Sequence, residues 1–371
     1  MWRPTVAAAL GAALLIATAP GAATPGAGAD PIAGEERIEA RTDSSTTSVA
    51  PDGARTLTLY AGPVQLQRGA EWQPVDLTLV AGADGVVRPV AIAHDLALTP
   101  TGPVVHFAHG GSAALDRPAG LPAPRLEGNR ATYPQVHPGY DLVVEATRAG
   151  FVASLRRVDP AAAPVPQLVL RRSAEAAPDP ADRRALTETE SAFSRVVAAA
   201  PPTEAFPVPF DTTVQTTVRH TDLSGEPDLR VGTYDGTAVA RSVLTWDLGQ
   251  LAGRPVAAAA LRVHQDWSSS CAARAWEVWT SPPAGPATRW ATQPAADRRW
   301  ATSTQTLGHG AACAPGWAEV DLTELVRSWA AAGATSGTVQ LRAADETDPL
   351  GWKRFASAES PHVPHLVITL G

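Results

Sequence analysis

What most restricts the fold of this chain is a period-two alternation of apolar and polar residues, in short runs cut off by turn residues. Leu57 and Leu59 alternate with Thr56, Thr58 and Tyr60; Val75, Leu77 and Leu79 alternate with Asp76 and Thr78, and Asp84-Gly85 then turns the chain toward Val86 and Val87. Successive side chains of a strand point to opposite faces, so these runs read as half-buried strands, and the second reads as a hairpin. The pattern is clearest late in the chain, where Leu244, Trp246 and Leu248 share a face, as do Leu261 and Val263, Trp276 and Val278, Val339 and Leu341, and Leu366, Ile368 and Leu370. Lys and Met, both good helix formers, occur once each, while Thr, Val, Pro and Gly are plentiful, which favours strands joined by turns. The expected class is all-β, with two antiparallel β domains.

A chain of 371 residues exceeds the usual span of one hydrophobic core. Residues 1–29 have the form of a cleavable export signal: Arg3 at the start, an apolar stretch over 6–19, and the small residues Ala27-Gly28-Ala29. The rival reading, a membrane anchor, would need about 20 strongly apolar residues, and this stretch is shorter and alanine-rich. Alternating runs then occupy a first β domain over 39–172. Periodicity fails over 173–209, expected to be a linker with a stretch of helical capacity at 182–198, and resumes in a second domain over 210–371. One helix is expected there: Asp321 caps it, Glu324 reaches back, Leu322, Leu325, Val326 and Trp329 form a stripe, and Gly333 ends it.

The net charge of −7 is dispersed, and every basic residue except Lys353 is arginine, so the chain has no electrostatic footprint for nucleic acid or an anionic membrane. It contains neither a GxSxG elbow nor an HExxH metal motif. His362-Val-Pro-His365 is the closest approach to a ligand pair, but the proline-broken run aims the two rings poorly at one ion, which favours an ordinary edge strand. The two cysteines, Cys271 and Cys313, are expected to pair, because an even count in an exported chain favours a disulfide and two isolated sulfurs make a poor zinc site. Asp222, Glu226 and Asp228 form one acidic cluster and Asp345, Glu346 and Asp348 another. Each supplies the hard oxygens that calcium prefers, and each reads equally as a solvated turn. No other cofactor is expected.

The second domain carries an ordered set of landmarks: Leu229-Arg-Val-Gly232, Arg241-Ser-Val-Leu-Thr-Trp-Asp-Leu248, Val256 to Val263, Ser270-Cys271, Thr288-Arg-Trp-Ala-Thr-Gln-Pro294, Gly316-Trp317, Asp321-Leu-Thr323 and Trp352-Lys-Arg-Phe355. This set resembles the DNRLRE domain of secreted and wall-associated actinobacterial proteins, which is related to β-sandwich carbohydrate-binding modules. The first domain, through Trp72-Gln-Pro-Val-Asp76, Tyr133-Pro-Gln-Val-His-Pro-Gly-Tyr-Asp-Leu142 and Gly150-Phe151, resembles the β-rich region that often precedes that module. The resemblance implies a jelly-roll-like sandwich and a non-catalytic, secreted protein. Its partner would be an extracellular polysaccharide or cell-wall glycan; a structural or adhesive surface component without a sugar site is the alternative.

Nine of the eleven tryptophans lie at or after position 246. An indole face stacks on a sugar ring and its N–H donates to hydroxyls, but large aromatics also fill cores. Trp246, Trp276 and Trp329 alternate or stripe with aliphatics and are assigned to the core, and Trp290, Trp317 and Trp352 to structural packing. Trp267 begins a polar turn, Trp279 falls opposite Trp276 and Val278, and Trp300 follows a charged loop. These three are the expected sugar platform.

Overall fold

The computed structural model describes residues 36–107, 111–116, 120–164, 168–172, 195–199 and 209–371. The expected export signal and most of the expected linker lie outside the described residues. Among the described residues every strand pairing is antiparallel, and one α-helix is described.

A first core lies between two sheets. One has six strands, ordered Val169–Arg172, Ser112–Asp116, Gly102–His106, Asp95–Thr99, Val87–Ala91 and Asp76–Ala81. The other has five, ordered Arg125–Glu127, Arg130–His137, Tyr140–Thr147, Gly150–Arg157 and Arg195–Ala199. Leu96, Leu98, Val105 and Leu115 of the first sheet pack with Tyr133, Leu142, Val144, Phe151 and Leu155 of the second, which is the geometry the alternation demands. The predicted hairpin forms, with Asp76–Ala81 paired to Val87–Ala91. Within the stretch read as linker, Arg195–Ala199 is instead the edge strand beside Gly150–Arg157.

The second core is enclosed by one long hydrogen-bonded sheet that folds over itself where Asp228–Thr233 pairs with both Val239–Asp247 and Lys353–Ala356. One layer centres on the long strand Val256–Ser268, flanked by Gly316–Asp321 on one edge and by His365–Leu370 and Lys353–Ala356 on the other. The other layer centres on Val239–Asp247 and Ser336–Ala343, continued by Trp276–Thr280 and Arg299–Ser303. Leu244, Trp246, Trp276, Val278, Leu261, Val263, Phe355, Leu366 and Ile368 fill the interior between them. Residues 39–60 were expected in the first domain. In the structure Arg55–Tyr60 pairs along its length with His365–Leu370, bringing Ser45–Val49 and Arg37–Arg41 into the second sheet and Leu57 and Leu59 into the second core. Alternation identifies a strand but carries no information about its partner.

The helix runs over Thr323–Ala331 and buries Leu325, Val326 and Ala330, with Gly333 in the left-handed region (φ +61°) just beyond it. The expected capping box does not form: the N-cap position is Leu322, without a side-chain cap bond, Asp321 just before it accepts from the Thr323 N–H at 2.8 Å, and Glu324 turns along the helix to Arg327 (2.8 Å) rather than back.

Arg148, in the turn between Tyr140–Thr147 and Gly150–Arg157, joins the two parts. Its buried guanidinium donates to the carbonyls of Pro63 (2.8 Å), Ala358 (2.5 Å) and Ser360 (3.3 Å), and its backbone N–H donates to Glu359 Oε2 at 2.7 Å. Asp211 Oδ2 accepts from the Ala358 N–H at 2.6 Å beside it. Burial pushes both carboxylates up, Glu359 to about 7 and Asp211 well above the ordinary carboxylate range.

Candidate functional site

Because Leu261 and Val263 point into the core, Arg262 and His264 on the same strand point outward. A bulge then breaks the register, with Gln265 opposite Phe355 and Trp267 opposite Arg354, so Asp266 and Trp267 are both exposed. The neighbouring strands extend this outer face in rows. Tyr60, His365, Arg262 and Glu319 stand side by side in one row, and His264 stands beside Trp317 in the next.

The side chains in these rows touch. The Trp317 ring meets His365 (centroids 5.0 Å apart), His264 (5.3 Å) and His362 (5.8 Å), all edge to face, and Arg262 lies over it at 5.5 Å. His264 and His362 stack at 3.9 Å, and His264 Nδ1 is 2.7 Å from Asp266 Oδ1. His365 packs on Tyr60 (5.3 Å), and its Nδ1 bonds the Val363 carbonyl oxygen. Burial holds the His365 imidazole below its ordinary pKa, and Arg262 adds to the effect.

Trp267 continues the face and is 39% exposed, with the Arg354 guanidinium 5.3 Å from its ring. Its backbone is pinned from below. A Cβ on Gly308 would lie 2.6 Å from Trp267 Cα, and Gly308 has φ +85°, so only glycine fits. The Gly308 and His309 N–H groups both donate to the Cys313 carbonyl, and the Cys271–Cys313 disulfide closes this loop across 42 positions, as expected.

The three tryptophans expected as one platform are not brought together. Trp279 lies on the other layer, half-buried, its Nε1 donating to Glu277 (2.8 Å) and Arg342 5.8 Å from its ring. Trp300 packs against the second core, with its Nε1 bonded to Thr280 Oγ1 (3.2 Å) and Arg298 over the ring at 4.0 Å. Trp246 and Trp276 are fully buried and Trp352 nearly so, whereas Trp317, assigned to packing, stands on the outer face. The same alternation would have found it, since Ala318 and Val320 point inward and leave Trp317 and Glu319 outside. The loop residue His362 carried no such signal.

The acidic cluster read for calcium is occupied by arginines. Asp222 faces Arg289 (3.1 Å), Glu226 faces Arg195 (3.3 Å) and Arg230 (2.9 Å), and Asp228 faces Arg230 (3.0 Å). A calcium ion there would have to displace these four ion pairs. In the second cluster, Glu346 pairs with Arg241 and Asp348 with Arg274. Among the described residues, the metal-ligating side chains that converge are His264, Asp266 and His362, and His365 is turned away from them.

This aromatic and imidazole-rich face lies within a stretch that matches a family model. Residues 202–370 match the model of carbohydrate-binding module family 96. The family-96 match takes in the whole second layer, the helix, the disulfide and every outer-face residue named above except Tyr60. No curated protein matches the chain. Among solved structures, the chain is similar to one described as the structural basis for the promiscuous specificity of carbohydrate-binding modules from the β-sandwich superfamily. The identity is 10%, over 75% of this chain and 92% of that one, and the TM-score of 0.18 carries no argument about fold or ligand. No helix among the described residues is long and apolar enough to cross a membrane.

Proposed function

We propose that this is an exported, non-catalytic protein that binds an extracellular polysaccharide or cell-wall glycan through the outer face of the layer built on Val256–Ser268. The observation that carries the reading is the family-96 match over residues 202–370. The face itself supports the location. Trp267 and Trp317 offer rigid indole surfaces, and Arg354, Arg262, Glu319 and Asp266 beside them supply the donors and acceptors that sugar hydroxyls need. Export rests on the leader-like residues 1–29 and on a disulfide suited to an oxidising compartment. The first β unit serves as a spacer or second contact.

The test is a binding screen of the full mature chain against soluble and insoluble polysaccharides, peptidoglycan included, with Trp267→Ala, Trp317→Ala and Trp279→Ala variants. Each stacked indole contributes on the order of 1 kcal/mol, so the first two variants are expected to weaken binding about fivefold to tenfold and the third to leave it unchanged. Loss confined to Trp279→Ala would move the site to the other layer. No binding by the folded chain across the panel would replace the proposal with a structural or adhesive role.

A further inference from the structure

We infer that His264, His362 and Asp266 form a site for a borderline divalent transition-metal ion, of which zinc is the physiological type. One ligand atom from each of the three lies within 4.8 Å of the other two. Around a tetrahedral zinc with bonds of about 2.0–2.1 Å, ligand atoms stand roughly 3.4 Å apart, so the group must contract by little more than an ångström. The side chains are suited to that movement. His264 is the anchor, with its side chain only 12% exposed, held by the sheet below and the Trp317 edge beside it. Asp266 is 43% exposed and His362 is a surface residue of the segment leading into the last strand, so both have room to rotate inward.

The donors also select the ion. Two imidazoles and one carboxylate suit zinc, cobalt, nickel and copper(II); calcium takes oxygens alone. His264 and His362 stack at 3.9 Å, which brings the two imidazoles to one side of the cluster. His264 Nδ1 and Asp266 Oδ1 are joined by a 2.7 Å hydrogen bond, closer than two zinc ligands stand, so this pair must open slightly to admit the ion. Three protein ligands at a solvent-facing position leave the fourth to water. His365 stays outside the set, because its Nδ1 is bonded to the Val363 carbonyl and its ring to Tyr60 and Trp317.

The experiment uses the full mature chain, made without a polyhistidine tag and stripped with chelator. Zinc chloride is titrated calorimetrically, and cobalt(II) absorption serves as a second probe of coordination. One ion per chain is expected, unaffected by excess calcium, with visible cobalt bands of a four-coordinate site. His362→Gln and Asp266→Asn are each expected to weaken zinc binding about tenfold or more with an unchanged melting curve, whereas His365→Gln leaves binding intact. Absence of saturable zinc binding overturns the assignment. So does binding that survives both His362→Gln and Asp266→Asn, or that is lost equally in His365→Gln.

Discussion

Replacing Glu359 by glutamine is expected to stabilise the protein above neutrality and to leave it unchanged in acid. Glu359 and Asp211 share one buried cation, Arg148, and burial raises both carboxylates, so the cluster resists losing its last proton. The Glu359 carboxyl titrates near 4.5 in the unfolded chain and near 7 in the folded one. Between those values the folded state binds more protons, so stability falls as the pH rises, and above about 7 the whole penalty is present. The interval from 4.5 to about 7, at roughly 1.4 kcal/mol per pH unit, makes that penalty ~3 kcal/mol at most. Glutamine keeps the oxygen that accepts the Arg148 N–H at 2.7 Å and removes the charge. It also leaves Arg148 to Asp211 alone, which lowers the Asp211 carboxyl toward its ordinary range. Urea unfolding of wild type and Glu359→Gln at pH 4 and pH 8, followed by tryptophan fluorescence, measures the difference; nine of the eleven tryptophans belong to the part that contains Glu359. Coincident curves at pH 4 and a gain of about 2–3 kcal/mol at pH 8 are expected. A variant less stable than wild type at pH 8 would refute the reasoning, because it would mean that attraction to Arg148 exceeds the cost of burying the charge.

The other predictions concern the disulfide and the single lysine. A Cys271→Ser, Cys313→Ser double variant frees a loop of 42 positions and is expected to lose up to ~4 kcal/mol in urea unfolding, and an unchanged midpoint would show that the bond constrains nothing the fold does not already hold. Lys353 is fully buried, its ammonium bonded to Thr306 Oγ1 (3.0 Å), and burial chiefly, with Arg274 nearby, lowers it to about 8. Between about 8 and 10.5 the unfolded chain holds the proton that the folded chain has released, so wild-type stability rises with pH across that window. Lys353→Met is expected to raise the melting temperature at pH 7 and to lose that advantage as the pH approaches 10.5, and a lower melting temperature at pH 7 would count against the burial cost.

Much of the candidate face was legible in the chain. Arg262, His264 and Trp317 point outward because Leu261, Val263, Ala318 and Val320 point inward, and a period of two settles that from sequence alone. Trp267 lies outside the core, and nothing local announces the bulge that aims it. The grouping with Trp279 and Trp300 failed for a reason of dimension: alternation assigns each residue to a face of its own strand, and the three strands occupy different layers or faces of the sandwich. In the acidic cluster, Arg195 and Arg289, far from it in sequence, fold back onto Glu226 and Asp222, which no local pattern announces.

By itself the sequence determined the strands that alternate clearly, which side of each of them is apolar, where the helix after Asp321 lies and which cysteines can bond, because these follow from local periodicity and count; Arg195–Ala199, read as linker, did not. Only the tertiary structure decided that Arg55–Tyr60 completes the sheet of the last strand, that Arg148 reaches residues 358–360, and that His362 lies on His264. Such meetings depend on strand order and on how a long sheet folds across its own core, where hydrogen bonds are alike at every position and the choice of partner is made by packing of the whole.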